Sequence, residues 1–212
     1  EVKYKPEKSK LYFLKYHLKD SKNDYLTIAT TRPETLLGDT AVAVNPKDDR
    51  FKKYIGEKIV VPIVNREVSV IGDNSVEIEF GTGALKVTPA HDHMDFEIGR
   101  KHELEIIKVF NQEGKGNENA GNYESLSIDE IRKQIIHDLD KKGHIEKIED
   151  YDNNVSHCER CDNKVEPYIS MQWFVNIKPL ADKAIDAVKT EKIKIIPERF
   201  NKTYFEWMDN IV

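Results

Sequence analysis

Two segments of the chain concentrate residues that can bind and polarise a ligand. The first is Thr30-Thr31-Arg32-Pro33-Glu34-Thr35, which runs on into Leu36-Leu37-Gly38-Asp39-Thr40. A threonine-rich turn at a strand end presents hydroxyls to whatever it faces. The same residues also suit a helix-capping turn, with Thr31 as the cap and Pro33 in the first turn. The second segment is Gly81-Thr82-Gly83-Ala84-Leu85-Lys86-Val87-Thr88, continuing through Pro89-Ala90-His91-Asp92-His93-Met94-Asp95-Phe96. Its two glycines permit close backbone approach and positive φ. Lys86 and Thr88 are two apart on a strand and share a face. Asp92 and Asp95 are three apart at a helix start and are neighbours on one side. Two carboxylates there either receive backbone N–H groups or hold a cation such as an amino group.

Other chemistries fit the sequence less well. His91 and His93 beside Asp92 raise a metal-dependent hydrolase, but H-x-H is a weak zinc signature and no second cluster completes four ligands. No G-x-S-x-G elbow is present, and G-T-G-A-L-K lacks the spacing of a phosphate loop. An enzyme of this composition is expected to activate water rather than form a covalent intermediate. Cys158 and Cys161 form a single C-x-x-C, which supplies at most half of a four-cysteine zinc site and lacks the βαβ context of a thioredoxin-like motif.

The elements that must carry these residues read as strands first. Residues 11–18, 25–30, 40–44, 58–64, 67–71, 76–80 and 84–88 are rich in β-branched and aromatic residues, with turn residues between them. Many short strands at such spacing predict a barrel or curled sheet. Residues 92–102 have an acidic start and a basic end, as the helix dipole favours. Residues 127–142 predict a second helix: Ser127 and Glu130 form a capping box, Ile128, Ile131, Ile135 and Leu139 one apolar stripe, and Gly143 the stop. Residues 112–123 read as an exposed loop and 179–189 as a helix. The expected organisation is α+β: a β-barrel-like domain over 1–150 with peripheral helices, then a connector over 151–212. Glu1, without a methionine, and Val212 suggest a piece of a longer protein.

Composition bounds the rest. With 39% apolar and 33% charged residues the chain reads as globular with a highly charged surface. A net charge of −5 taken alone argues mildly against a nucleic-acid binder without excluding one; basic residues cluster at 3–10, 189–194 and 199–202, each reading first as a solvated face. No apolar run approaches the roughly 20 residues of a membrane span. One C-x-x-C is no disulfide framework, so the expected compartment is the cytoplasm.

The two segments together resemble the editing, or connective-peptide, domain of the class I aminoacyl-tRNA synthetases for valine, isoleucine and leucine. The first matches that family's threonine-rich strand, the second its glycine-threonine-glycine strand and aspartate-bearing helix. The resemblance extends over nearly the whole chain and fits the valyl branch best. Residues 30–46 (TTRPETLLGDTAVAVNP) match almost throughout, whereas leucyl domains diverge after TTRP, and isoleucyl domains replace the arginine and place tryptophan after the proline. Lys86, Thr88, Ala90-His91-Asp92 and Val165-Glu166-Pro167 point the same way. So do Ser170 and Gln172-Trp173-Phe174-Val175, which resemble the segment returning to the catalytic domain.

The resemblance implies hydrolysis of threonine wrongly attached to valine tRNA. A hydrophobic synthetic pocket cannot strongly reject a hydroxyl in place of a methyl, a limit for which valine and threonine are themselves the standard illustration. By matching position, Asp95 anchors the α-ammonium and is kept ionised by its helix N-terminus; Lys86, Thr88 and Asp92 read the threonine side chain. Thr30, Thr31, Arg32, Glu34, Thr35 and Asp39 line the facing strand and turn, with Asp95, Thr31 and Asp39 closest to catalysis. The terminal ribose hydroxyl assists the water. The expected partners are the tRNA(Val) acceptor end and the rest of the same synthetase chain, with no membrane and a monomeric state. No HIGH-like or KMSKS-like motif is present, so ATP and magnesium belong to the parent protein and no cofactor is expected here, zinc at Cys158 and Cys161 remaining open. The competing readings are a leucyl or isoleucyl editing domain, a catalytically silent tRNA-binding insert, and the metal-dependent hydrolase.

Overall fold

The computed structural model describes residues 1–211; Val212, the end of the expected connector, lies outside them. The β-branched stretches form β1 (Val2–Leu18), β2 (Ser21–Thr30), β3 (Ala41–Val44), β4 (Lys58–Val61), β5 (Arg66–Gly72), β6 (Ala84–Val87) and β7 (Ile145–Cys158). One sheet holds them in the order β2-β1-β4-β5-β3-β6, with β7 pairing β1. All pairs are antiparallel except β3 with β5. The ends of this path, β2 and β6, lie against each other, so the sheet curls into the expected barrel-like shape.

The tetrapeptide Ala41-Val42-Ala43-Val44 shows how alternation divides the core. Val42 and Val44 join Leu14, Tyr16, Leu26 and Ile28 on one face, where Ile131, Ile135 and Leu139 of α2 (Ile128–Lys141) cover them. Ala41 and Ala43 face the other way, with Val87 of β6 and Ile98 of α1 (His93–Lys101). The α2 boundaries follow the sequence reading. Ser127 Oγ accepts from Glu130 N–H, and the Glu130 carboxylate accepts from Ser127 N–H at 2.9 Å. Gly143 leaves the helix at φ +73°. Ser127→Ala is expected to lower stability by about 1 kcal/mol; an unchanged urea midpoint would remove the cap from this account.

The structure departs from the sequence reading in four places. First, β7 was not expected as a strand, and the division placed after residue 150 cuts through it. Its residues carry many charges and no apolar alternation, yet they ladder onto β1 from Val2↔Cys158 to Leu14↔Ile145. The basic cluster of β1 is thereby paired across the ribbon rather than merely solvated, as in Lys10 with Asp150. Pro6 is tolerated there because that part of β1 pairs on one side only. The compact units run Glu1–Ile169 and Ser170–Val212. Second, residues 76–80 form turns, not a strand, because Asp73 caps Ser75 N–H and its carbonyl takes the N–H of Val76. Third, residues 112–123 are not a simple exposed loop: a 3₁₀ turn at Glu118–Tyr123 buries Tyr123, whose hydroxyl donates to Asp138. Fourth, the second unit holds α4 (Asn201–Asp209), unforeseen, besides the expected α3 (Lys178–Lys189), on which Ala181 and Ile185 are buried. No helix among the described residues is long and apolar enough to cross a membrane.

Candidate functional site

Three elements of the first unit converge. The chain leaves β2 at Thr30, turns at Thr31-Arg32, and forms a 3₁₀ helix at Pro33–Gly38. Thr31 does not cap this helix; Arg32 holds the cap position and Pro33 starts the turn. Opposite it, β6 carries Lys86, and the N-terminus of α1 brings Asp92 and Asp95. Between them lies a cavity of about 400 Å³. Thr30, Thr31, Arg32 and Thr35 line one side, and Lys86, Thr88, Asp92 and Asp95 the other. Gly83 makes the approach to β6 possible: at φ +82°, a Cβ would stand 3.0 Å from the Ile78 carbonyl oxygen.

Two expected members do not line the cavity. Glu34 is fully buried behind it, because a turn of three residues points it away from the neighbouring Thr35. There it accepts a two-pronged contact from Arg132 of α2 at 2.7 and 2.9 Å. Asp39 is also fully buried, beneath the floor. Its carboxylate accepts from the Thr88 hydroxyl at 2.5 Å, from Lys86 Nζ at 3.3 Å and from the Tyr16 hydroxyl at 2.7 Å. Burial pushes the Asp39 carboxyl up, against the pull of Lys86 and the two hydroxyls. The same burial raises the Tyr16 phenol well above its usual range. Tyr16 was missed because it stands at a core-facing position of β1; the available signal was its hydroxyl, which needs a partner when buried.

Lys86 forms the floor. Its ammonium donates to Thr35 Oγ and Thr88 Oγ, both at 2.6 Å, and to Asp39, which uses all three of its N–H groups. The Thr35 hydroxyl in turn donates to the Arg32 carbonyl. A ligand hydroxyl therefore meets oriented oxygen lone pairs on two threonines and one long Lys86 contact that can be exchanged.

Asp95 is 4% exposed and accepts from Thr88 N–H at 2.8 Å. Burial raises its carboxyl to about 6, with Lys86 opposing. The helix N-terminus thus does not by itself keep this group ionised; desolvation outweighs it. Asp92 caps α1, accepting from Met94 and Asp95 N–H at 2.8 and 3.1 Å. Of the alternatives for the paired aspartates, capping is thus met by Asp92, while Asp95 faces the cavity.

His91 and His93 do not converge on a metal. His91 Nε2 accepts from Val109 N–H at 3.0 Å, and burial lowers the ring to about 4. His93 is exposed. Cys158 and Cys161 share a turn at the end of β7, where the N–H groups of Cys161 and Arg160 hold the Cys158 thiol below its ordinary value. Among the described residues no third His, Cys, Asp or Glu joins them. Sequence reasoning also missed part of the wall: Leu11 of β1 and Tyr151 and Asn153 of β7 line the cavity. Tyr151 and Asn153 were hidden by the same charged pattern that concealed β7, whereas Leu11 lies in a stretch that reads as a strand without a site role.

Comparison with known proteins identifies the family to which this fold is similar. The family "Leucyl-tRNA synthetase, editing domain" matches residues 52–152. Valine--tRNA ligase of Thermotoga maritima is 50% identical over 211 residues, covering 100% of this chain and 24% of that protein. The valine--tRNA ligase of Anoxybacillus flavithermus is 52% identical over 212 residues, with the same shares. The chain thus spans about a quarter of the length of the curated relatives it matches. Among solved structures, the agnB2 LeuRS of Agrobacterium radiobacter K84, in a ternary complex with tRNA and LeuAMS, superposes with a TM-score of 0.54. That match has 18% identity and covers 77% of this chain and 24% of the other, and it supports the fold. Whole-chain identity near one half to valine--tRNA ligases, together with the editing-domain match over residues 52–152, shows that the chain belongs to the valyl branch of the class I aminoacyl-tRNA synthetase editing domains.

Proposed function

We propose that the chain hydrolyses the ester between threonine and valine tRNA, removing a mischarged product. The observation that carries this reading is the cavity floor, where Lys86, Thr35 and Thr88 are polar, buried and mutually hydrogen-bonded. Such a floor offers partners to the threonine hydroxyl. Valine would desolvate the same oxygens without replacing their contacts, at about 1–3 kcal/mol for each group left unpaired. The synthetic pocket's preference is thereby reversed.

Asp95 holds the substrate's α-ammonium, as the buried carboxylate of the wall. Thr30, Thr31 and Arg32 flank the ester and the terminal adenosine, and Asp92 stands at the rim. Asp39 and Glu34 act from behind: Asp39 orients Lys86 and Thr88, and Glu34 is braced by Arg132. Water is the attacking nucleophile, assisted by the free hydroxyl of the terminal ribose, and no cofactor takes part. The acceptor end of tRNA(Val) and the remainder of a synthetase chain are the partners, in the cytoplasm.

The test measures deacylation of threonyl-tRNA(Val), valyl-tRNA(Val) and valyl-tRNA(Ile) by an intact valine--tRNA ligase with this chain as its editing segment. Preference for the first substrate and loss in Lys86→Ala and Asp95→Ala are expected. Full activity in both variants would overturn the site, and preference for valyl-tRNA(Ile) would move the chain to the isoleucyl specificity. Activity is also expected to survive a strong chelator.

A further inference from the structure

The segment that follows β7 packs against residues that line the cavity. Glu166 pairs with Arg32 Nη2. The neighbouring Pro167 backbone faces the His91 ring. Lys108 Nζ lies 5.2 Å from the centre of the Tyr168 ring. Glu166 and Pro167, in a stretch that reads as a connector, are thereby held against two residues that line the cavity, and Tyr168 is anchored beside them by Lys108.

Arg32 is the cavity residue they reach. Its guanidinium stands between two anions. Glu166 takes Nη2 on one side; on the other, Glu34 Oε1 is 3.6 Å from Nε. The His91 carbonyl accepts from Nη1 at 2.8 Å. Glu34 is already gripped by Arg132, so it is a fixed charge that pulls on Arg32 without closing a hydrogen bond. The side chains of Arg32 and Glu166 are 26% and 32% exposed, so water screens their attraction only in part. A guanidinium has five N–H groups in a rigid plane, and those not taken by His91 and Glu166 remain for a ligand.

We propose that Glu166 is a positioning residue of the editing site: it holds the Arg32 guanidinium against the pull of Glu34 and so sets the plane in which Arg32 meets the substrate ester. This inference rests on the reading that Arg32 contacts that ester. When Glu166 loses its charge, Glu34 is the nearer anion, and the guanidinium swings towards it and away from the ester. Glu166 therefore acts on the site from just outside the cavity, and the seating of its segment governs Arg32.

The test is a double-mutant cycle on threonyl-tRNA(Val) deacylation in an intact valine--tRNA ligase carrying this chain as its editing segment. Glu166→Gln preserves shape and removes charge; it is expected to lower kcat about tenfold with KM changed less than about threefold, since a misplaced group costs rate more than binding. In an Arg32→Ala background the same substitution is expected to cost nothing further. Glu166→Asp, which keeps the charge but shortens the side chain, is expected to retain more kcat than Glu166→Gln. A residue that merely packs would show the reverse order, because Gln is the isostere, and that order would overturn the proposal. So would equal losses from Glu166→Gln in both Arg32 backgrounds, or no loss in either. If Arg32→Ala alone leaves kcat unchanged, the reading of Arg32 fails first, and the positioning role falls with it. Melting curves on all variants separate misfolding, and because Glu166→Gln is isosteric its kcat decides the question where a shorter side chain perturbs the fold.

Discussion

Lys86→Ala is expected to destabilise the fold by about 3–5 kcal/mol, because it strands a buried carboxylate. Asp39 is fully buried, and Lys86 is the cation that balances it. Thr88 and Tyr16 still donate to Asp39 in the variant, but two neutral hydroxyls do not offset a full charge in a low-dielectric interior. For a domain of this size the loss corresponds to a fall of about 10 °C in melting temperature. Asp39→Asn in the same chain is expected to recover much of it, since both partners are then neutral and the hydroxyls keep an acceptor. Urea denaturation of the two single variants and the double variant gives the coupling directly. A Lys86→Ala loss below about 1 kcal/mol would mean that water or a displaced cation already compensates Asp39, and the buried pair would not be the support of the floor. The same substitution removes the donor that aligns Thr35 and Thr88, so editing activity is expected to vanish even under conditions where the variant stays folded.

Asp95→Asn is expected to do the opposite to stability while also ending activity. The carboxyl of Asp95 is raised from 3.8 to about 6 by burial. A raised folded-state value means that the folded state favours the protonated form. The stability contribution is therefore full below about pH 4 and is lost as pH rises through 6. At pH 8 the wild type carries a buried charge whose cost approaches two pKa units, about 3 kcal/mol as an upper value. Asparagine keeps an acceptor for Thr88 N–H and carries no charge. The variant is expected to be the more stable by up to that amount at pH 8, with the difference shrinking below pH 6 and gone near pH 4. Activity follows the charge in the other direction. Removing one partner of a buried ammonium–carboxylate contact costs about 2–5 kcal/mol, a loss of about thirtyfold or more in kcat/KM. Wild-type kcat/KM should fall with a midpoint near pH 6 on acidification, as Asp95 takes up its proton. A pH-independent stability difference, or full activity in Asp95→Asn, would show that the buried charge is not the group that binds substrate.

The opposed effects share one cause. Burial makes the site charges strong towards a ligand and unfavourable without one. Neutralising a buried binding group is therefore expected to stabilise the fold where that group has no charged partner, as at Asp95, and to destabilise it where the group balances another buried charge, as Lys86 balances Asp39.

How far these features were legible differs from residue to residue. The helix of residues 128–141 was readable because its cap, its apolar stripe and its terminal glycine are local signals that packing merely accepts. The strands bearing Thr30 and Lys86 were readable because alternation and β-branched residues state a preference within a few positions. The candidate ligands came from residue type and spacing: apart from Glu34 and Asp39, all eight residues assigned to binding or catalysis in the Thr30–Asp39 and Lys86–Asp95 segments line the cavity, each reaching it directly from a strand, a turn or a helix start. Glu34 and Asp39 could not be separated from them by sequence. Both are acidic residues in the same polar turn, and only the three-residue pitch of a 3₁₀ helix and the position of Arg132, 98 residues away, send Glu34 backwards. The long ribbon of β1 and β7 was invisible for a related reason. Its strands are matched by cross-strand charge rather than by a hydrophobic face, so the signal exists only when residues about 140 apart are brought together. The sequence by itself therefore determined the elements whose signals are local, the helix of residues 128–141 and the strands bearing Thr30 and Lys86, and the set of candidate side chains. The tertiary structure alone decided which of those side chains line the cavity, which stand behind it, and that burial raises the Asp95 carboxyl to about 6, because burial and pairing are properties of the packed chain and of no local stretch of it.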